Sequence, residues 1–349
     1  MASKWSECTS LPTNIVRFSN AVKINDNEFI IASENHSIYK TSFESEYHGI
    51  LKYNTINKTW TNLVKYPDDM TMEDHQIAYN PNNKKIYLQG LDMCVIIYDI
   101  NNKKFKIFSS HIQCGSNPTL LIINDELHLF GGFSSNKHLL FNKTYCEYKT
   151  IDEINSSIQG LHKPYSVYVP SKNCAFIMGG TEINMPLGTN ACDTIYLYNF
   201  NTKTHEKLDV CLPKEYSSLS AVLNADQDKI ILFGGRVENA VVYDDIYIFD
   251  INTYKFTKSK IKCPCPGDFR PILMDNSSIE ELIVFGYLHY IWNQIKVNKS
   301  YILPMQLIKL IEKFYAYKDI YLIKYLFDFS ADNSKKRKAK MWRINANEI

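Results

Sequence analysis

The chain has no surplus of charge. Its 39 Lys and Arg against 37 Asp and Glu leave a formal net charge of +2, so no field of one sign recommends nucleic acid or an anionic membrane as its ligand. Long apolar runs are also missing. Residues 1 to 10 hold no signal-peptide core and no later stretch reaches the length of a membrane span; the expectation is a soluble, monomeric, cytoplasmic protein. Nine cysteines are spread from Cys8 to Cys265 without one Cys-x-x-Cys, which removes a disulfide framework and a zinc site and leaves them as small buried apolar residues. Six Asn-x-Ser/Thr triplets, at Asn35, Asn57, Asn142, Asn155, Asn276 and Asn298, reflect a chain rich in Asn, Ser and Thr and mean nothing more without secretion. No nucleophile motif, phosphate-binding glycine loop or paired catalytic carboxylate occurs, the nine histidines show no ligand spacing, and no cofactor is expected.

What the chain has in quantity is aromatic residues, 24 Tyr and 18 Phe, which fit a half-buried pleated surface better than a helix. It also repeats itself. Gly-Gly pairs close the apolar runs Leu127–Phe130, Phe176–Met178 and Ile230–Phe233, and looser copies end at Gly90, Gly286 and Ser33. The positions Ser33, Gly90, Gly131, Gly179, Gly234 and Gly286 lie 57, 41, 48, 55 and 52 residues apart. A period of about 50 is that of a four-stranded propeller blade. A second signature follows each: an aromatic, then Asn or Asp, then an aromatic or His seven residues after the first. Its copies are Tyr53-Asn54 with Trp60, Tyr98-Asp99 with Phe105, Phe141-Asn142 with Tyr148, Tyr198-Asn199 with His205 and Phe249-Asp250 with Phe256. This spacing predicts a hairpin whose Asn or Asp organises the turn and whose two rings meet across the strands. Asn-, Asp- or Pro-rich turns such as Asn124-Asp125, preceded by short apolar runs such as Leu120–Ile123, complete four strands per unit, a to d.

These residues resemble the kelch repeat, over residues 5 to 292 and most specifically in units 4 and 5. The resemblance implies an all-β fold, a six-bladed kelch-type β-propeller spanning residues 1–299. Unit 1, with Ala32-Ser33-Glu34 in place of the glycines, needs another way to make its turn. Unit 6 shows two strands, at Arg270–Met274 and Glu281–Phe285, and a candidate third at Leu288–Trp292, but no fourth. Trp5 precedes Pro12 by the seven residues that separate Trp60 from Pro67, so residues 1–12 are expected to close the last blade from the other end of the chain and remove its open edge.

Beyond the repeats, Pro304, Leu307, Ile308, Ile311, Phe314 and Tyr315 recur at helical spacing. Residues 300–329 are therefore read as a small α-helical extension docked on the propeller, and 330–349 as a basic tail. Within that tail Lys335, Lys336, Arg337 and Lys338 form a cluster of the nuclear-import type, so nuclear as well as cytoplasmic residence is weighed.

In a four-stranded meander the b–c and d–a connections emerge on one face and the tight a–b and c–d turns on the other. The long b–c connections, Glu34–His48, Phe133–Lys137, Thr181–Ala191 and Arg236–Val242, mark the first face as the one for recognition. His36, Tyr39, Phe43, Tyr47, Asn136, Lys137, Glu182, Asn184, Arg236, Glu238 and Asn239 are the side chains expected to meet a partner. The function expected is a scaffold or adaptor binding another protein, with no enzyme activity. The alternative is a propeller enzyme, oxidase- or isomerase-like, with a site assembled from loops.

Overall fold

The computed structural model describes residues 6–7, 21–33, 48–67, 75–89, 95–108, 117–133, 135–142, 147–155, 157–184, 188–237, 243–263, 269–276, 279–286 and 340–345. One compact unit takes in 1–287 and 338–349; the second, Leu288–Arg337, lies outside the described residues. The expected helices, the basic cluster Lys335–Lys338 and the candidate strand at Leu288–Trp292 likewise lie outside the described residues.

Every described element but a single turn is a strand. After β1 (Ser6–Glu7) comes the first sheet, β2 (Val22–Asn25), β3 (Glu28–Ala32), β4 (Gly49–Asn54) and β5 (Thr59–Lys65). The second is β6 (Gln76–Asn80), β7 (Lys85–Gln89), β8 (Val95–Asp99) and β9 (Lys104–Phe108). The third is β10 (Thr119–Ile123), β11 (Glu126–Phe130), β12 (Lys137–Asn142) and β13 (Glu147–Glu153). A short β14 (Gly160–His162) precedes the fourth sheet, whose strands are β15 (Tyr165–Val169), β16 (Cys174–Met178), β19 (Ile195–Asn199) and β20 (Thr204–Lys207). Between its second and third strands the chain inserts β17 (Thr181–Asn184) and β18 (Gly188–Ala191). The fifth is β21 (Ser218–Leu223), β22 (Lys229–Arg236), β23 (Asp245–Asp250) and β24 (Lys255–Lys262); the sixth opens with β25 (Phe269–Asn276) and β26 (Ile279–Gly286). All neighbours pair antiparallel.

First strands touch in cyclic order, β2 to β6, β6 to β10, β10 to β15, β15 to β21, β21 to β25 and β25 back to β2. Six four-stranded sheets closed in this way are a six-bladed β-propeller. Position in the blade sets burial. In the first and fourth blades the second strands are buried on both faces, at Phe29–Ala32 and Cys174–Met178, because each of these blades is covered by a neighbour on either side. The fourth strands are wet and charged: in β24, Lys255, Lys258, Lys260 and Lys262 are exposed, and lysines on an open edge discourage pairing with another chain.

The seven-residue signature is a hairpin in every described copy. Tyr53 faces Trp60, Tyr98 faces Phe105, Phe141 faces Tyr148, Tyr198 faces His205 and Phe249 faces Phe256, with ring centroids 4.5 to 5.3 Å apart. Such aromatic pairs are worth about 0.5–1.5 kcal/mol beyond burial. The turn between them is held by its acid or amide. Asp99 Oδ1 accepts the N–H groups of Asn101 and Asn102, and Asn54, Asn199 and Asp250 do the same for the second and third residues after them. Each turn then passes through the left-handed region, at Lys58, Lys103, Lys203 and Tyr254.

The sixth blade departs from the expected chain path. Its third strand is β27 (Lys340–Asn345), paired with β26 from Glu281↔Asn345 to Gly286↔Lys340, and β27 in turn pairs with β1 through Ser6↔Arg343 and Glu7↔Trp342. Residues 340–345, read from the sequence as part of a basic tail, are therefore blade. The physical reason is the partner: β26 has a row of backbone groups to satisfy, and Met341-Trp342-Arg343-Ile344 supplies a strand for them.

Candidate interaction face

The face carrying the b–c and d–a connections is built around the glycine pairs. Gly131 and Gly132 have φ of 73° and 123°, and the Gly132 N–H donates to Leu161 O at 2.7 Å. A Cβ on Gly131 would lie 2.5 Å from that same oxygen. One blade on, the Gly180 N–H donates to Tyr216 O at 2.8 Å, and a Cβ there would lie 2.8 Å from His162 O. The glycines thus let each second strand press against the connections that lead from blade to blade. The first blade reaches a similar end without them: Ser33 N–H and Oγ–H both donate to Gly49 O, and Ser33 Oγ accepts the Gly49 N–H at 2.6 Å.

Long connections on this face are themselves structured. The hairpin β17–β18 pairs with β14 to make a three-stranded sheet, and Gly132 bridges to Leu161 on the far side of β14. A b–c loop of blade 4 and a d–a connection between blades 3 and 4 are stitched together. Side chains extend the stitching. Asn136 Nδ2 donates to the carbonyls of Asn155 and Ile158, both at 2.8 Å. Asn155 Nδ2 donates to Tyr196 Oη at 2.9 Å, and that hydroxyl donates to Glu182 Oε1 at 3.5 Å. Burial pushes the Tyr196 phenol up to about 12, against the hydrogen bond from Asn155, so it stays a neutral donor.

Of the residues expected to face a partner, the structure joins Asn136 and Glu182 through this network. Asn136 is a correction: it is buried, with its amide committed inside. Lys137 opens β12 half-buried, and its carbonyl accepts the Gly131 N–H. Glu182 and Asn184 are half-buried in β17. Arg236 ends β22, half-buried, its carbonyl accepting both the N–H and the hydroxyl of Ser217. His36, Tyr39, Phe43, Tyr47, Glu238 and Asn239 lie outside the described residues.

Two features here carry no sequence signature. Phe133, in the b–c connection of blade 3, is 47% exposed and meets His162 edge-on at 5.4 Å, while His162 Nε2 is hydrogen-bonded to the Asn117 amide. In blade 5, Asp245 sits between Lys214 at 2.7 Å and Lys258 at 2.8 Å, and the Lys214 ammonium lies 3.9 Å above the Tyr243 ring. Burial raises the Asp245 carboxyl, the two lysines more than offset it, and it ends below the ordinary value. Asp244 beside it pairs with Lys262. Among the described residues no group of three or more His, Cys, Asp or Glu is placed to hold a metal ion, and no helix is long and apolar enough to cross a membrane. The Cys192 thiol is buried and pushed up to about 12 by that burial, which holds it as an unreactive thiol.

No protein-family model matches the chain, and no curated protein matches its sequence.

Proposed function

We propose that the protein is a kelch-type propeller that binds another protein through the b–c and d–a face, as a scaffold or adaptor with no enzyme activity. The observation that carries this reading is the three-stranded sheet β14–β17–β18: connections that only join blades do not need a hydrogen-bonded sheet of their own. Rigid loops on a fixed scaffold lose little entropy on binding, and an exposed Phe133 beside them is the kind of aromatic on which interfaces concentrate their energy. The kelch assignment rests on the glycine pairs and the seven-residue hairpin. Cytoplasmic residence, with access to the nucleus through Lys335–Lys338, belongs to the same proposal.

The test is comparative affinity capture. Phe133→Ala with Arg236→Ala should lose partners that wild type retains, whereas Lys203→Ala, on a c–d turn of the opposite face, should not. Identical captured sets for all three would remove the choice of face. A stoichiometric transition metal in the purified protein would turn the reading toward an enzyme.

A further inference from the structure

Three histidines stand where the other blades are apolar. His128 is three residues before its first glycine, a position held by Ile30, Tyr87, Phe176 and Ile231 in other blades. His138 is three before the first aromatic of the hairpin, where others have Ile50, Val95, Ile195 and Ile246. His205 takes the second aromatic place, filled elsewhere by Trp60, Phe105, Tyr148 and Phe256. All three converge on one seam. His128 in β11 and His138 in β12 belong to blade 3, and His205 in β20 belongs to blade 4. The seam between blades 1 and 2, by contrast, is hydrocarbon and aromatic, with Ile30, Ala32 and Ile50 packed on Ile86, Leu88, Ile96 and Tyr98.

At the seam, His128 Nδ1 lies 2.9 Å from His138 Nε2. That contact holds one proton; a second would set two N–H groups and two positive charges against each other. The His138 ring stacks on Phe130 at 4.2 Å, meets Tyr198 edge-on at 4.4 Å and His205 at 5.5 Å, while His128 meets Phe200 at 5.2 Å. Among the described residues neither ring nitrogen of His205, nor Nδ1 of His138, has a hydrogen-bond partner. Among the described residues the one carboxylate acting on the cluster is Asp152 of β13, opposite His138 in the register and exposed; it favours a charged His205 but is outweighed. Tyr198 is the other titratable neighbour, and burial raises its phenol, so it brings no compensating negative charge.

We propose that the seam between blades 3 and 4 is an acid-labile joint, which opens locally in mild acid as its three histidines, two of them buried and the half-buried His205 with both ring nitrogens shut from solvent, take up protons while the other seams stay closed. Burial holds His128 and His205 down to about 4 and His138, with its two histidine neighbours, to about 2. Their folded values lie below the ordinary histidine value of about 6.5. The open seam therefore binds more protons than the closed one, and closure is fully favoured above that value and lost as pH falls below it.

Native-state hydrogen exchange on the full chain tests this. Between pH 7.0 and 5.5 each histidine released to solvent should multiply the open population by about eightfold. After correction for intrinsic exchange, amides of β11, β12, β19 and β20 should lose at least about tenfold in protection, while those of β22, β23 and β24 hold theirs. A variant with His128→Ile, His138→Ile and His205→Phe, the residues of blade 5 at these positions, should show no such pH dependence; His205→Phe alone should remove one histidine's share. Seam protection flat with pH, loss in step across all sheets, or zinc raising protection at the seam would each overturn the proposal.

Discussion

Gly131 and Gly179 occupy the same place in successive blades, and replacing each by alanine separates two costs that glycine avoids. Both have left-handed φ, 73° and 59°. Alanine there pays about 1–2 kcal/mol, of which up to about 1 kcal/mol returns through the stiffer unfolded chain. At Gly179 the new methyl meets Leu212 and Tyr216 at 3.4 Å, an ordinary contact, so Gly179→Ala should cost about 1 kcal/mol. At Gly131 it would fall 2.5 Å from Leu161 O, backbone that already receives the Gly132 N–H. One or the other must move, and losing that buried bond adds about 1–3 kcal/mol. Gly131→Ala should therefore cost about 2–4 kcal/mol in all. Urea unfolding followed by circular dichroism measures both, with m unchanged if the denatured state is the same. Costs equal to within about 0.5 kcal/mol would refute the claim that the pressed connection, and not the backbone angle alone, demands glycine at Gly131.

Asn136→Ala strands the carbonyls of Asn155 and Ile158 and should cost about 2–4 kcal/mol in the same urea assay; a cost below about 1 kcal/mol would mean solvent replaces the amide. Lys58→Gly, Lys103→Gly and Lys203→Gly relieve left-handed strain in three hairpin turns and should together raise stability by about 1–2 kcal/mol, read as a higher urea midpoint. Asp245→Asn should destabilise near neutral pH. Because the Asp245 carboxyl lies below its ordinary value in the folded chain, wild type's advantage should hold above about pH 4 and fade as pH falls below it; an advantage that does not vary with pH would deny the ionic part. Deleting residues 1–12 bares the edge of β27, and a melting temperature equal to that of the full chain would show that β1 is dispensable.

Much of the ring was legible because its signals are local. The aromatic pairs sit seven residues apart in one hairpin, so spacing alone predicts that Tyr53 and Trp60 meet, and the glycine pairs mark a close approach whoever the neighbour is. Pairings between distant segments left weaker traces. Trp342-Arg343-Ile344 reads as a tail until β26 is seen to need a third strand. The sheet β14–β17–β18 consists of strands of three and four residues, too short for alternation to show. Asn136 reads as a partner-facing loop residue because nothing near it in the chain names the carbonyls it holds. The seam histidines become visible as a set only when the blades are laid over one another, since His205 is far along the chain from His128 and His138.

Ring closure has a consequence for the order of folding. Blades 1 to 5 each pair strands that follow closely along the chain, and local pairing forms early because it closes small loops. The sixth blade pairs Ser6 with Arg343 and Glu7 with Trp342, nearly the whole chain apart. The last blade is thus a clasp whose strands are made far apart in time, and β26 has no third strand beside it until β27 has been made. Refolding should show a slow final phase carrying protection of β26 and β27 amides, and that phase should be the one a chaperone or a covalent link between the ends would speed.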